Sequence, residues 1–274
     1  MPVLGCLPFL NVKPLSYLLE NEALPDGWSL RYAPPSELAK LLQAGEICAA
    51  PVSSFECLQN PNLKIIPDIC IASRGAVKSV LLFSKVPMEK LSSLALDSGS
   101  LSGAAMLKII LAESYGATPE FVACEPDIDL MLDKCDAGLL LGNAAMQANA
   151  RIGSDIHVMD LGEEWLRLTG LPAVFAVWAV TACAPLAELI PILQKSKAAG
   201  MRAVREIAEA ESNKIGLSFD VCYDYLANVM IYDMRPAELE GLKMFACKAY
   251  EHGLLNAPAE LLFAESDSAV GERS

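Results

Sequence analysis

Apolar positions along the chain alternate between short continuous runs and helical spacing, and this alternation predicts strands and helices in turn. The run Val3–Leu7 reads as a strand, followed by Asn11–Val12–Lys13–Pro14 and a short helix over Leu15–Glu20. A second strand is expected at Trp28–Ala33. The next helix starts at Pro35–Ser36–Glu37, carries Leu38, Leu41 and Leu42 on one face, and stops at Gly45. Ile47–Val52 is a buried strand leading into a helix at Ser53–Ser54–Phe55–Glu56, and Lys64–Ala72 and Val77–Ser84 are two further strands. This β-α-β-α order points to a largely parallel sheet in an α/β fold.

The pattern restarts at Ser92–Ser98, a strand opening into the small-residue turn Ser98–Gly99–Ser100–Leu101–Ser102–Gly103. A helix from about Ser102 to Tyr115 carries Met106, Leu107, Ile110 and Leu111 on one face, with Gly116 as its stop. Glu120–Cys124 and Ala137–Leu141 are expected strands, and His157 reads as a strand residue. The apolar run 172–180 then returns to the first sheet. The expected division is one discontinuous lobe of residues 1–87 and 173–274 and an inserted lobe of 88–172, with a ligand cleft between them. The remainder reads as helices: Pro185 to about Ser212, Phe219–Tyr232 and Pro236–Gly253. The polar tail 265–274 is expected to fray.

Charge and cysteine usage narrow the function class. With 21 Lys and Arg against 34 Asp and Glu the chain carries −13, and no basic run offers a nucleic-acid footprint. An anionic ligand must therefore be met by local donors. The apolar stretch Ala173–Pro185 is too short to span a membrane, and the first residues lack the basic region of a secretory signal. Nine scattered cysteines without a C-x-x-C pair read as reduced cytoplasmic thiols, and two isolated histidines, His157 and His252, argue against a metal site.

No nucleophile elbow, phosphate loop or dinucleotide fingerprint is present. What remains is a set of small polar residues at strand-to-helix junctions: Asn11, Ser53, Ser54, Ser79, Ser98, Ser100 and Ser102. Helix N-termini present unpaired N–H groups to an anion, and hydroxyls there add donors. Ser36, Ser53 and Ser102 can equally be helix caps, and Asn11 a turn residue. Ser79 lies in an otherwise apolar strand, where its hydroxyl needs either a backbone partner or a ligand. Lys13 and Lys78 read as solvated lysines, Trp165 and Trp178 as packing residues.

Several stretches together resemble the chorismate dehydratases of menaquinone biosynthesis by the futalosine pathway. They are Pro8–Phe9–Leu10–Asn11 with Pro14, Pro35–Ser36–Glu37–Leu38, 50–56, 79–87, and the block Gly162–Glu163–Glu164–Trp165 through Thr169–Gly170–Leu171–Pro172 to Trp178. The resemblance implies a type II periplasmic-binding-protein-like fold, two lobes with the ligand between them, used as a lyase. The implied reaction removes water from the dianion chorismate to give 3-[(1-carboxyvinyl)oxy]benzoate, with no cofactor or metal. It implies Asn11 and Ser79 as catalytic residues. Ser53, Ser54, Ser98, Ser100, Ser102, Gly142 and Asn143 are the implied substrate-binding set. In this chain the serine turn lacks the family's arginine, with Leu101 in its place, and Gly103 replaces a hydroxyl; Asn143 stands where aspartate is more usual. A non-catalytic intracellular binding protein for a small carboxylic acid, or the related 1,4-dihydroxy-6-naphthoate synthase, would share this scaffold.

Overall fold

The computed structural model describes residues 1–22, 24–97, 99 and 101–265; the polar tail beyond them lies outside the described residues. In chain order the first elements are β1 (Val3–Cys6), α1 (Lys13–Asn21), β2 (Ser29–Tyr32), α2 (Pro35–Gln43), β3 (Ala49–Ser53), α3 (Ser54–Gln59) and β4 (Lys64–Ser73). The next group is β5 (Val80–Ser84), β6 (Ser93–Leu96), α4 (Leu101–Ile110), β7 (Glu120–Ala123), α5 (Ile128–Lys134), β8 (Ala137–Leu141), α6 (Gly142–Arg151), β9 (His157–Asp160) and α7 (Leu161–Thr169). The chain ends with β10 (Ala173–Val180), α8 (Leu186–Arg202), α9 (Val204–Ile215), α10 (Phe219–Asp224) and α11 (Pro236–Glu251).

The strands form two five-stranded sheets, ordered β2-β1-β3-β10-β4 and β7-β6-β8-β5-β9. Each is parallel where βα units wind it and antiparallel where the crossing strand enters: β10 runs against β3 and β4, and β5 against β8 and β9. The strand Val80–Ser84, expected with the first lobe, is therefore a central strand of the second sheet. Its side chains explain why pattern could not place it. Val80 and Leu82 face the main core, while Leu81 and Phe83 face a second cluster under α5 and α6 with Ile128, Met131 and Ala145. A strand buried on both faces is a continuous apolar run whichever sheet it joins.

The main core runs without a break through both lobes. Behind the junction, Trp165 of α7 meets Phe245 of α11 edge-on at 5.6 Å, and Phe55 of α3 lies 5.8 Å from the same ring. Aromatic contacts of this geometry add to simple burial, so α7 of the second lobe is packed firmly against α11 and α3 of the first.

Two helical expectations are corrected. The segment read as one helix from Pro185 to Ser212 is α8 and α9, broken at Ala203 (φ −94°, ψ 10°). The apolar stripe continues across the break, so periodicity does not register it. The expected helix Phe219–Tyr232 stops being α-helical at Asp224 and continues as one π-turn, Tyr225–Val229. Beyond it Ile231 bridges antiparallel to Ala72, extending the first sheet past β4.

Candidate active site

The carboxyl ends of the parallel strands converge on the junction between the sheets, where open α/β sheets place ligand crevices. Asn11 lies in a single 3-10 turn after β1, Ser53 closes β3, and Gly142 follows β8. Ser79 immediately precedes β5, and Ser102 occupies the first turn of α4. All five line one cleft, together with Phe9, Leu101 and Phe175. Its free volume, ≈ 100 Å³, is smaller than that of a surface groove of ≈ 330 Å³ beside the 254–262 loop. Volume therefore does not select the site; convergence of strand ends from both lobes does.

Of the described side chains lining the cleft, none is charged, and most are apolar. Within that setting, Asn11 and Ser79 differ from the other polar residues. The Asn11 Oδ1 atom is buried and has no hydrogen-bond partner among the described residues. A buried amide oxygen without a partner costs free energy unless something supplies a donor. Ser79 accepts a 2.7 Å hydrogen bond from the phenol of Tyr225, a fully buried side chain that sequence reasoning did not single out. Burial pushes the Tyr225 phenol well above its ordinary range, with the neighbouring polar side chains of Ser79 and Asn11 pulling the other way. The tyrosine thus stays neutral and can donate.

Backbone bonds hold Ser79 in place. Its carbonyl accepts the Gly142 N–H at 2.7 Å, and the Asp160 carboxylate accepts the N–H groups of Val77 (2.9 Å) and Lys78 (2.7 Å). Asp160 also caps α7 through Gly162 and Glu163. Lys78 itself adopts a left-handed conformation (φ 63°), uncommon for a side chain of its size. Its side chain is half exposed, as expected of a surface lysine, and pairs with Asp224 at 2.7 Å; Lys13 is not solvated as expected but largely buried, paired with Glu20 at 2.7 Å.

The serines at the other wall are spent differently. Ser53 is the residue preceding α3, but its hydroxyl caps nothing there; it lies 2.5 Å from Ser102 Oγ. Ser102 does not cap α4 either: it donates to the Phe175 carbonyl (2.8 Å) and accepts the Phe55 N–H (3.2 Å). Ser54 is buried, donates to the Val174 carbonyl at 2.6 Å and lies outside the cleft lining. A hydroxyl has one proton, so Ser54 and Ser102 have committed theirs within the protein. Nor does α2 use Ser36 as a cap, because its preceding residue is Pro34. Asn143 is not among the residues lining the cleft; beside it, its Oδ1 accepts the Leu10 N–H at 3.2 Å and ties α6 to the turn after β1. Ser98 and Ser100 lie outside the described residues.

Similarity to known proteins bears on this geometry. The family model described as menaquinone biosynthesis matches residues 2–251. The chain belongs to the menaquinone biosynthesis family. A relative of this family in Thermus thermophilus, a chorismate dehydratase, is 35% identical over 261 residues, covering 89% of this chain and 93% of that protein. Solved structures bear out the α/β, two-lobed fold expected for the family. A protein of Archaeoglobus fulgidus superposes with a TM-score of 0.77 at 17% identity, covering 92% of this chain and 97% of its own. The periplasmic aliphatic sulphonate binding protein of Escherichia coli superposes with a TM-score of 0.65 at 15% identity, covering 97% and 94%. This chain thus has a periplasmic-binding-protein-like fold. Among the described residues, no helix is long and apolar enough to cross a membrane.

Proposed function

We propose that this chain is a chorismate dehydratase, a carbon–oxygen hydro-lyase that converts chorismate to 3-[(1-carboxyvinyl)oxy]benzoate and water. Membership of the family and the near full-length match to a chorismate dehydratase supply the substrate class. The observation that carries the chemistry is a cleft whose described lining is uncharged and includes both Ser79 and Asn11, the latter with an Oδ1 that has no partner among the described residues.

Such a site suits an elimination that needs little acid or base from the protein. Loss of water makes the ring aromatic, so the reaction is driven by its product, and the site's main task is to hold one conformer. The described lining contains no carboxylate, histidine or lysine to accept a proton. The substrate's own enolpyruvyl carboxylate then removes the hydrogen from the ring carbon that bears the ether oxygen. The neighbouring C–O bond breaks with its electron pair going to oxygen, and proton and hydroxide leave together as water. Asn11 Oδ1 accepts the departing hydroxyl's hydrogen and fixes its direction, and Ser79 donates to its oxygen. The ring carboxylate meets the first turn of α4. The N–H groups there, on Leu101, Ser102 and Gly103, have no intrahelical acceptor and carry the positive end of the helix dipole. In an apolar, water-poor cleft each of these contacts gains strength.

The test is to incubate the purified protein with chorismate and follow products by chromatography and mass. Enzyme-dependent formation of 3-[(1-carboxyvinyl)oxy]benzoate supports the reading. Chorismate decaying no faster than a protein-free control sinks it. Asn11→Ala and Ser79→Ala should each lower kcat by about tenfold or more, the cost of one lost transition-state hydrogen bond, while the melting midpoint stays near that of the native chain.

A further inference from the structure

We infer that Tyr225 is a positioning residue that makes Ser79 a hydrogen-bond donor toward the cleft; this rests on the dehydratase reading. A serine has one proton and two lone pairs, and Tyr225 fills one lone pair by donating from 2.7 Å. Its own proton is then the one left to point elsewhere. The Ser79 carbonyl is already taken by Gly142 N–H, and the Val77 and Lys78 N–H groups by Asp160. No described protein acceptor for the Ser79 proton is present, and the side chain borders the cleft. The donor that a leaving hydroxyl needs is thus set by a residue that never touches it.

The local backbone is built for this. Tyr225 opens a π-turn closed by the Met230 N–H on its carbonyl at 3.1 Å. Such turns are rare and recur at functional sites. The Ile231 bridge to Ala72 then anchors the segment to the first sheet. The consecutive residues Asp224 and Tyr225 grip the consecutive residues Lys78 and Ser79, one by an ion pair and one by a hydrogen bond, at the point where the chain passes from β4 to β5. Tyr232, close by in the sequence and equally buried, has a hydroxyl with no partner among the described residues. It provides an internal comparison.

The experiment compares chorismate turnover by the native chain, Tyr225→Phe, Tyr232→Phe, Ser79→Ala and the Tyr225→Phe/Ser79→Ala double variant, with melting curves for each. Expected are a kcat for Tyr225→Phe at least tenfold below native with KM within twofold, Tyr232→Phe near native, and a double variant no slower than Ser79→Ala alone. Positioning through Ser79 requires that last result, because a structural defect would multiply with the serine loss or move KM. Native turnover in Tyr225→Phe, equal losses in both phenylalanine variants, or multiplying losses in the double variant each overturn the inference. A native chain inert toward chorismate overturns the dehydratase reading itself, and this inference with it.

Discussion

Ser102 joins more of the molecule than any other single hydroxyl at the cleft. It receives the Phe55 N–H, donates to the Phe175 carbonyl, and stands within 3.0 Å of Ser54 Oγ and 2.5 Å of Ser53 Oγ. Those partners belong to α3, β3 and β10 of the first lobe, while Ser102 rides on α4 of the second. Replacing it by alanine leaves a buried N–H and a carbonyl with no bond, and each such group costs about 1–3 kcal/mol. Ser102→Ala should therefore lower the urea unfolding free energy by about 2–4 kcal/mol. A change below about 0.5 kcal/mol would mean that water replaces the hydroxyl without loss. Asn11, Ser53, Ser79 and Ser102 were readable as lining candidates because strand-to-helix junctions in this architecture aim at the cleft, whereas Gly142 entered only through the family resemblance. Their individual roles were not readable, since whether a serine proton faces inward or outward depends on partners more than 40 residues away, such as Ser53 for Ser102. Tyr225 left no local signal, because its partner lies 146 positions earlier.

At the scale of elements, a π-turn that continues α4, Leu111–Tyr115, is tied to α11 by a small ionic cluster. Glu113 accepts from Lys248 Nζ at 2.6 Å and lies 2.8 Å from His252 Nε2. Burial tends to raise the Glu113 carboxyl, but hydrogen bonds and charge from Lys248 and His252 outweigh it and leave it below its ordinary 4.5. A carboxyl lowered in the folded state stabilises the fold above its unfolded pKa, and that stabilisation disappears as pH falls through the lower folded value. Asp136, Asp224 and Asp233 are lowered as well, each with a side-chain hydrogen bond as its largest cause. The melting midpoint should thus fall below about pH 4.5, with the carboxyl of Asp160, raised by desolvation, acting in the opposite sense. Glu113→Gln should melt lower than the native chain near neutrality and show a shallower acid slope, with the other three carboxylates supplying the remainder. Identical slopes would show that the cluster contributes nothing. Neither this tie nor the placement of β5 was legible in the sequence. Periodicity reports which faces are buried, not which neighbour buries them, and β5 presents apolar side chains to two cores at once. The stop at Gly116, by contrast, was legible because its left-handed conformation (φ 60°) favours glycine.

Across the whole molecule, the two sides of the junction are held unequally. On one side the core is continuous, with Trp165, Phe245 and Phe55 packed across it. Beside the cleft the ties are hydrogen bonds: Ser102 to the first lobe, Gln147 Nε2 of α6 to the Ile215 carbonyl, and, at the mouth contact between α6 and the turn after β1, Asn143 Oδ1 on the Leu10 N–H. Apolar packing of that extent is expensive to separate, whereas each neutral hydrogen bond is worth only about 1 kcal/mol net. Opening should therefore pivot on the aromatic side and part the mouth first, in the manner of hinged two-lobed proteins. A compact chain of this length has a radius of gyration of about 19 Å. Asn143→Ala removes the mouth contact while leaving the aromatic side intact. Its ligand-free radius of gyration, measured by small-angle X-ray scattering, should rise above that of the native chain and return on addition of chorismate. Because closure must then be driven by the ligand, KM should rise severalfold, with a smaller change in kcat. An unchanged radius together with an unchanged KM would mean that the packed side alone sets the closed arrangement, and that Asn143 does no more than satisfy the Leu10 N–H.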